Sequence, residues 1–420
     1  MATIVLTAVG SIVGGPIGAA IGAAIGQQID RAVLAPNGTR EGPRLKELDI
    51  QTSSYSSSIP AIFGTMRVAG TVIWATDLIE RRVKSGGGKN RPSTVNYSYS
   101  VSMAVALSSR PVARIGRIWA DGNLLRGEAG DFKVGTQFRF HAGHHDQPLD
   151  PLLSSAEAAG QCPAYRGLAY AVFEDLQLAD YGNRIPSLTF EIIERENLVP
   201  LNIVVGDTSS GLISGESAEN LVGYAMSGVD CRAAIGPLLG AFPAFIRAKE
   251  GQLELTDYWS SSALTVAITP LVNGGGRNFE RPAYMAEPAY SVPQSLAIRH
   301  YEPARDFQSG VQRSQRSGTG RTSRQIDLPA AIDAGSALRL ADLQMLEAQR
   351  ARDIWTGHMA YGEHRLYPGD WITEASGKRW RIIELEYLRD AIKVTARAAL
   401  SYDPSSTVPA SPGRNPVYND

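Results

Sequence analysis

Between residues 55 and 400, apolar and polar positions alternate more often with a period of two than with a helical period. Over Tyr55 to Asp77, Ile59, Ile62, Val68, Val72, Ile73 and Trp74 are apolar or β-branched. Gly64 and Gly70 interrupt them, which predicts strands with a turn or bulge at each glycine. Val95 to Leu107 alternates as Tyr97, Tyr99, Val101, Met103 and Val105 against smaller residues. Arg81 to Arg91, basic and rich in glycine, lies before that stretch and reads as a hairpin tip. A further strand over Arg114 to Arg126 turns at Asp121-Gly122-Asn123. Phe138 to His141, Tyr170 to Glu174 and Leu188 to Ile193 add strands, with Pro151 to Gly160 a short helical or irregular excursion.

Residues 198 to 270 have a different texture. Glu216 to Met226 predicts a short helix, and Asp230 caps another through Ala233, Ala234 and Leu238. Phe242 to Ala248 and Gln252 to Thr256 flank the Glu250-Gly251 turn as a hairpin. In the last third, Ser295 to His300 and Arg324 to Leu328 predict strands around a polar loop, Arg313 to Arg324, whose composition suggests mobility. Asp333 or Ser336 caps a helix to about Arg352 with Leu338, Ala341, Met345 and Ala348 on one face and Arg339, Asp342, Gln349 and Arg350 elsewhere. Gly369-Asp370 separates a strand ending at Leu366 from one beginning at Trp371. Trp380 to Tyr387 and Ala391 to Ala398 form a closing hairpin. After Asp403, proline, serine and glycine dominate, as in a flexible arm.

The first thirty residues follow another rule. From Ala2 to Gly26 there is no charge, and Gly10, Gly14, Gly18, Gly22 and Gly26 recur every fourth position. On a helix these glycines share one smooth face beside Val13, Ile17, Ile21 and Ile25, a zipper that admits close approach of a partner backbone. No basic residue precedes the apolar stretch, which weighs against a signal peptide. A membrane span is conceivable on length, since about 20 apolar residues cross a bilayer, but the glycines and Pro16 favour burial against a protein partner.

Composition narrows the function classes. The 420 residues are 43% hydrophobic and 20% charged, with 41 basic against 42 acidic residues, so several cores fit and no global field draws the chain to nucleic acid or membrane. Cys162 and Cys231 lie outside any metal or redox spacing. The Gly-rich insert at 86–88 lacks the Gly-Lys-Ser/Thr and helix of a phosphate loop, and Ser227-Gly228 is no nucleophile elbow. His141-Ala142-Gly143-His144-His145-Asp146 is the strongest metal-ligand lookalike, but no second ligand cluster accompanies it. Glu174, Asp175 and Asp180 are candidate acids with no partner that spacing identifies. No catalytic residue, cofactor or metal is therefore expected.

Ile59-Pro60-Ala61-Ile62-Phe63-Gly64-Thr65-Met66-Arg67-Val68-Ala69-Gly70, Ile118-Trp119-Ala120-Asp121-Gly122, Tyr170-Ala171-Val172-Phe173 and Gly182 to Glu191 together resemble the "Putative phage tail protein" family, which includes tail-hub proteins of siphophages and gene transfer agents. Leu366 to Asp370 with Trp380-Arg381-Ile382 is similar to a hub's second tube domain. The resemblance spans most of residues 45 to 400. It implies a mainly β fold with α+β insertions, in which two tube-like β-barrel domains join an apolar N-terminal helix and a flexible C-terminal arm.

The matching division is 1–30 for the glycine zipper, 31–125 plus 170–197 for the first β domain, and 126–169 for an insertion. Residues 198–275 form a small α+β module, 276–402 the second β domain with one long helix, and 403–420 the tail. The implied role is a non-enzymatic tail-tip hub or baseplate protein of the virion, made in the host cytoplasm. It forms a homotrimer and meets a distal tail protein ring, a tape-measure protein and fibre or receptor-binding proteins, with transient host-membrane contact as a subsidiary expectation. A tail-associated cell-wall hydrolase and a membrane-inserting tail-tip pore protein are the alternatives.

Overall fold

The computed structural model describes residues 58–85, 94–157, 161–258, 265–268, 270–271, 273–274, 277–362, 365–398 and 409–414. Two compact units divide the chain, Met1–Arg44 and Leu45–Asp420. The first, with the glycine stripe, lies outside the described residues, as does the insert tip at 86–93.

Sheets dominate the second unit, and its spine is the strand Ala61–Ala69. Residues 61–64 pair antiparallel with Gly223–Met226, and residues 65–69 pair antiparallel with Leu188–Ile193. An eight-stranded sheet results, ordered Gln308–Arg313, Ser295–Glu302, Ser323–Ala331, Gly223–Met226, Ala61–Ala69, Leu188–Ile193, Arg114–Ala120, Asn123–Arg126. The changeover between partners needs two glycines. Gly64 has φ +65°, and a Cβ on it would lie 2.3 Å from the Val222 carbonyl oxygen. A Cβ on Gly223 would lie 1.9 Å from that of Thr65. A side chain at either position forces backbone apart.

The spine serves two cores. Ile62, Met66 and Val68 face a core completed by a five-stranded sheet of Thr71–Ala75, Ile79–Ser85, Thr94–Ser108, Gln137–His141 and Ala169–Gln177, where Met103, Val105, Phe173 and Phe190 are fully buried. Phe63 points to the other core. There the sheet is backed by helices α2 (Leu201–Thr208), α3 (Cys231–Ala241) and α4 (Ala334–Arg350). Helix α1 (Pro151–Ala156) places Leu153 over the outer face of the five-stranded sheet, on Ala104, Tyr170 and Val172. Each buried aromatic of this kind contributes about 2 to 3 kcal/mol, more than an exposed ion pair does.

A third core lies inside a six-stranded sheet ordered Thr265–Ala267, Trp371–Thr373, Arg379–Tyr387, Ile392–Ala398, Asp353–Met359, Ala283–Ala286, with Trp355, Trp380, Ile382 and Val394 buried. The sheet is strongly curled. Just past its first strand the Ile268 amide donates to the Thr373 carbonyl at 2.9 Å, and the Leu271 amide donates to the His358 carbonyl at 2.7 Å, so one segment bridges the strands Trp371–Thr373 and Asp353–Met359. Among the described residues, no sheet forms a closed barrel.

The turns at 121–122 and 250–251 form as expected, with left-handed φ at Asp121, Gly122, Glu250 and Gly251. Asp230 and Asp333 cap their helices through the Ala233 and Ser336 amides. Several expectations fail. Glu216 to Met226 is not a helix but the short strands Asn220–Leu221 and Gly223–Met226, because Gly223 must sit against the spine. Helix α2, which the sequence pattern does not announce, contains the β-branched Ile203, Val204 and Val205. No strand ends at Leu366 among the described residues; Asp370 turns that segment by accepting from the Tyr367 amide at 2.9 Å. The loop after Arg313 is pinned: Ser314 Oγ and the Gln315 amide donate to Asp342 at 2.7 and 2.8 Å, which draws Asp342 inward instead of to the solvent face.

Candidate functional site

The structure separates the residues that spacing grouped together. His141 is fixed inward by a 2.9 Å contact from its Nε2 to Asp150 Oδ2 and by stacking on Tyr170, ring centroids 4.4 Å apart. His144, His145 and Asp146 are exposed. Among the described residues, no group of three or more His, Cys, Asp or Glu is placed to hold a metal ion. Of the candidate acids, Glu174 accepts from Arg139 at 2.7 Å, Asp175 accepts from Arg81 at 2.6 Å, and Asp180 is exposed. They do not form an acid pair. Cys162 and Cys231 are free and half-buried. Gly10, Gly14, Gly18, Gly22 and Gly26 lie outside the described residues.

Two charge clusters that the sequence did not reveal organise the fold. The first centres on Asp150, which is fully buried. Arg139 Nε and Nη2 donate to its two oxygens at 2.8 and 3.2 Å, and the Leu152 and Leu153 amides donate at 2.9 and 3.4 Å. Burial opposes ionisation, but the hydrogen bonds from Arg139 and His141 outweigh it and hold the carboxyl below its ordinary value. Asp150 therefore caps α1 and ties it to the edge strand of the five-stranded sheet.

The second cluster joins distant segments around Trp119. The Arg67 guanidinium lies 3.8 Å from the Trp119 ring centroid and that of Arg117 lies 5.0 Å away. Arg117 Nε and Nη2 each donate to Glu191 at 2.9 Å, while its Nη1 donates to Asp306. Arg67 Nη1 donates to the Asp306 carbonyl at 3.2 Å. Burial raises the Glu191 carboxyl, but Arg117 overrides it and holds the group below its usual range. Asp306 and Phe307 both adopt left-handed φ, 52° and 61°, and this corner sends Phe307, 2% exposed, into the core between the two sheets.

Chemically these clusters hold and orient. Carboxylate oxygens of Asp150, Glu191 and Asp306 are engaged by arginine or backbone donors. Signals for the clusters were weak in the sequence: an isolated Asp before Pro151 marks a cap, but nothing local says that Arg139 and His141 converge on it.

Residues 230–385 match the model of the family described as "Putative phage tail protein". Among solved structures, a chain from the "Virion of native gene transfer agent (GTA) particle" is 25% identical. The match covers 93% of this chain and 98% of that one, with a TM-score of 0.72. Weaker likenesses are a tail protein from Neisseria meningitidis MC58, 9% identical over 80% of this chain and 96% of that one with a TM-score of 0.32, and prophage tail protein gp18 from Listeria monocytogenes EGD-e, 9% identical over 71% and 84% with a TM-score of 0.31. No curated protein matches the chain.

Proposed function

We propose that the chain is a non-enzymatic structural protein of a phage or phage-like tail tip, a hub that assembles as a homotrimeric ring and joins the tail tube to distal tip or fibre proteins during genome delivery. Its place is the virion tail. The observation that carries this reading is the likeness, over nearly the whole of both chains, to a chain of a gene transfer agent virion. Two supports come from the fold. The sandwich of eight- and five-stranded sheets and the curled six-stranded sheet have distinct cores, which supports a reading in which three copies supply six wall units to one ring. The arginine clusters lock strands rather than present reactive groups.

In this reading the glycine stripe lines the ring axis or its entrance and packs on its own copies or on the tape-measure protein. Native mass spectrometry or a particle reconstruction tests the ring, with three copies expected and a monomer or hexamer overturning it. A zymogram on purified peptidoglycan tests the absence of hydrolysis, and clearing by the isolated chain overturns the structural role. Gly18→Leu with Gly22→Leu should block tail completion while the β bodies stay folded, and normal infectious particles would remove the stripe from the assembly.

A further inference from the structure

The strand Gln308–Arg313 ends the eight-stranded sheet and, among the described residues, pairs only with Ser295–Glu302. Its outer flank carries backbone groups that another strand can pair with, and an uncovered edge of this kind invites lateral growth. Residues 409–414 of the same chain lie against it. Gln312 Nε2 donates to the Ser411 carbonyl at 2.9 Å, and Arg305 Nε, from the turn leading into the strand, donates to the Arg414 carbonyl at 3.0 Å. The segment is bent by the Gly413 amide donating to Ser411 Oγ at 3.2 Å. Gly413 has φ 89°, and a Cβ on it would sit 3.5 Å from Arg305.

The manner of contact matters more than its strength. Both anchors run from a side chain of the edge hairpin to a carbonyl of the tail, and among the described residues no backbone hydrogen bond links the tail to the strand. Pro409 and Pro412 have no amide hydrogen. A segment built this way lies over an edge without becoming the next strand, and so offers no new edge in turn. A chain end rich in proline, serine and glycine would otherwise stay unattached.

We propose that residues 409–414 are an edge guard for the strand Gln308–Arg313, recognised by Arg305 and Gln312 through the tail's own carbonyls. The guard keeps the sheet from pairing with a second copy's edge. This does not rest on the tail-hub reading.

Hydrogen–deuterium exchange of the full chain and of a chain stopped after residue 408 tests it. Exchange over 308–313 should rise about tenfold on truncation, the scale set by two lost hydrogen bonds, while 295–302 keeps its protection and self-association increases with concentration. In case truncation harms folding, Arg305→Ala with Gln312→Ala in the full chain keeps the tail and removes its anchors. It should speed proteolysis within 403–414 and raise strand exchange to a similar extent. Unchanged exchange over 308–313 in both variants overturns the proposal. So does a double variant whose tail is freed while the strand stays protected, since the tail would then dock without guarding.

Discussion

The two halves of the eight-stranded sheet solve the same problem differently. On one side of the spine, Leu188–Ile193 and Arg114–Ala120 are covered by a second sheet, and the core is filled by side chains at alternate positions of both. On the other, Ser295–Glu302 and Ser323–Ala331 run parallel and are covered by α2, α3 and α4. Sheet-on-sheet packing needs many distant strands in register, whereas in the helix-backed half one covering helix, α4, lies in the same run of chain, 295–350, as the strands it covers. Damage on the first side should therefore spread through several segments, and damage on the second should stay local.

Phe173→Ala gives the largest expected effect. The ring is fully buried, with Phe138 and Phe190 ring centroids at 5.1 and 6.1 Å, so truncation should cost about 4 kcal/mol. A urea midpoint shift measures it, and exchange should rise over Leu188–Ile193 and Thr94–Ser108 before it rises over α4. Equal loss in both halves would break the contrast. Gly223→Ala comes next, at about 3 kcal/mol, because the spine must move away from a Cβ placed on the Thr65 carbonyl. It should loosen both halves together.

Asp150→Asn, outside both cores, should cost about 2 kcal/mol, with Arg139 keeping Glu174 as a partner. The wild-type carboxyl is held below its ordinary 3.8, so its stabilisation is present above that value and disappears as pH falls through the folded value. Acid unfolding of the variant should accordingly be less steep.

The smallest effect tests the helix-backed half. His300 is fully buried, its Nε2 3.4 Å from Glu302, with Asp333 nearby at the start of α4. Burial, opposed by Glu302, holds the imidazole below its ordinary 6.5. The unfolded chain takes up a proton that the folded chain resists. Stability is thus full above pH 6.5 and falls as pH drops below it, by at most about 1.4 kcal/mol per unit. His300→Gln should flatten that slope, and a wild-type urea midpoint constant between about pH 7 and 5 would show that the group does not titrate there.

What was legible in the sequence was local. Asp121-Gly122 and Glu250-Gly251 announce their turns because only certain residues accept left-handed backbone, and Asp230 and Asp333 announce helix starts because a short carboxylate satisfies free amides. Alternation shows which face of a strand is buried but not which strand lies beside it. Nothing near Gly64 reveals Gly223, and nothing near Phe307 reveals the core it enters. The α2 sequence Leu201–Thr208 is rich in β-branched residues, and cover over the sheet outweighs their weak preference for strands. Of the candidate site, the His141 segment was visible as a cluster of imidazoles, yet the fold turns only His141 inward.

The corner at Asp306 and Phe307 also sets an order of events. Arg67 and the Asp306 carbonyl that it binds are 239 positions apart, and Phe307 completes a core whose other walls begin at Ile62. During synthesis the walls from Ile62 to Ile192 leave the ribosome before their plug does, so the sandwich waits unsealed while about a quarter of the chain is made. A nascent chain interrupted before residue 307 thus carries an open greasy cleft that chaperones and proteases can detect, and a finished one closes it with a single aromatic ring.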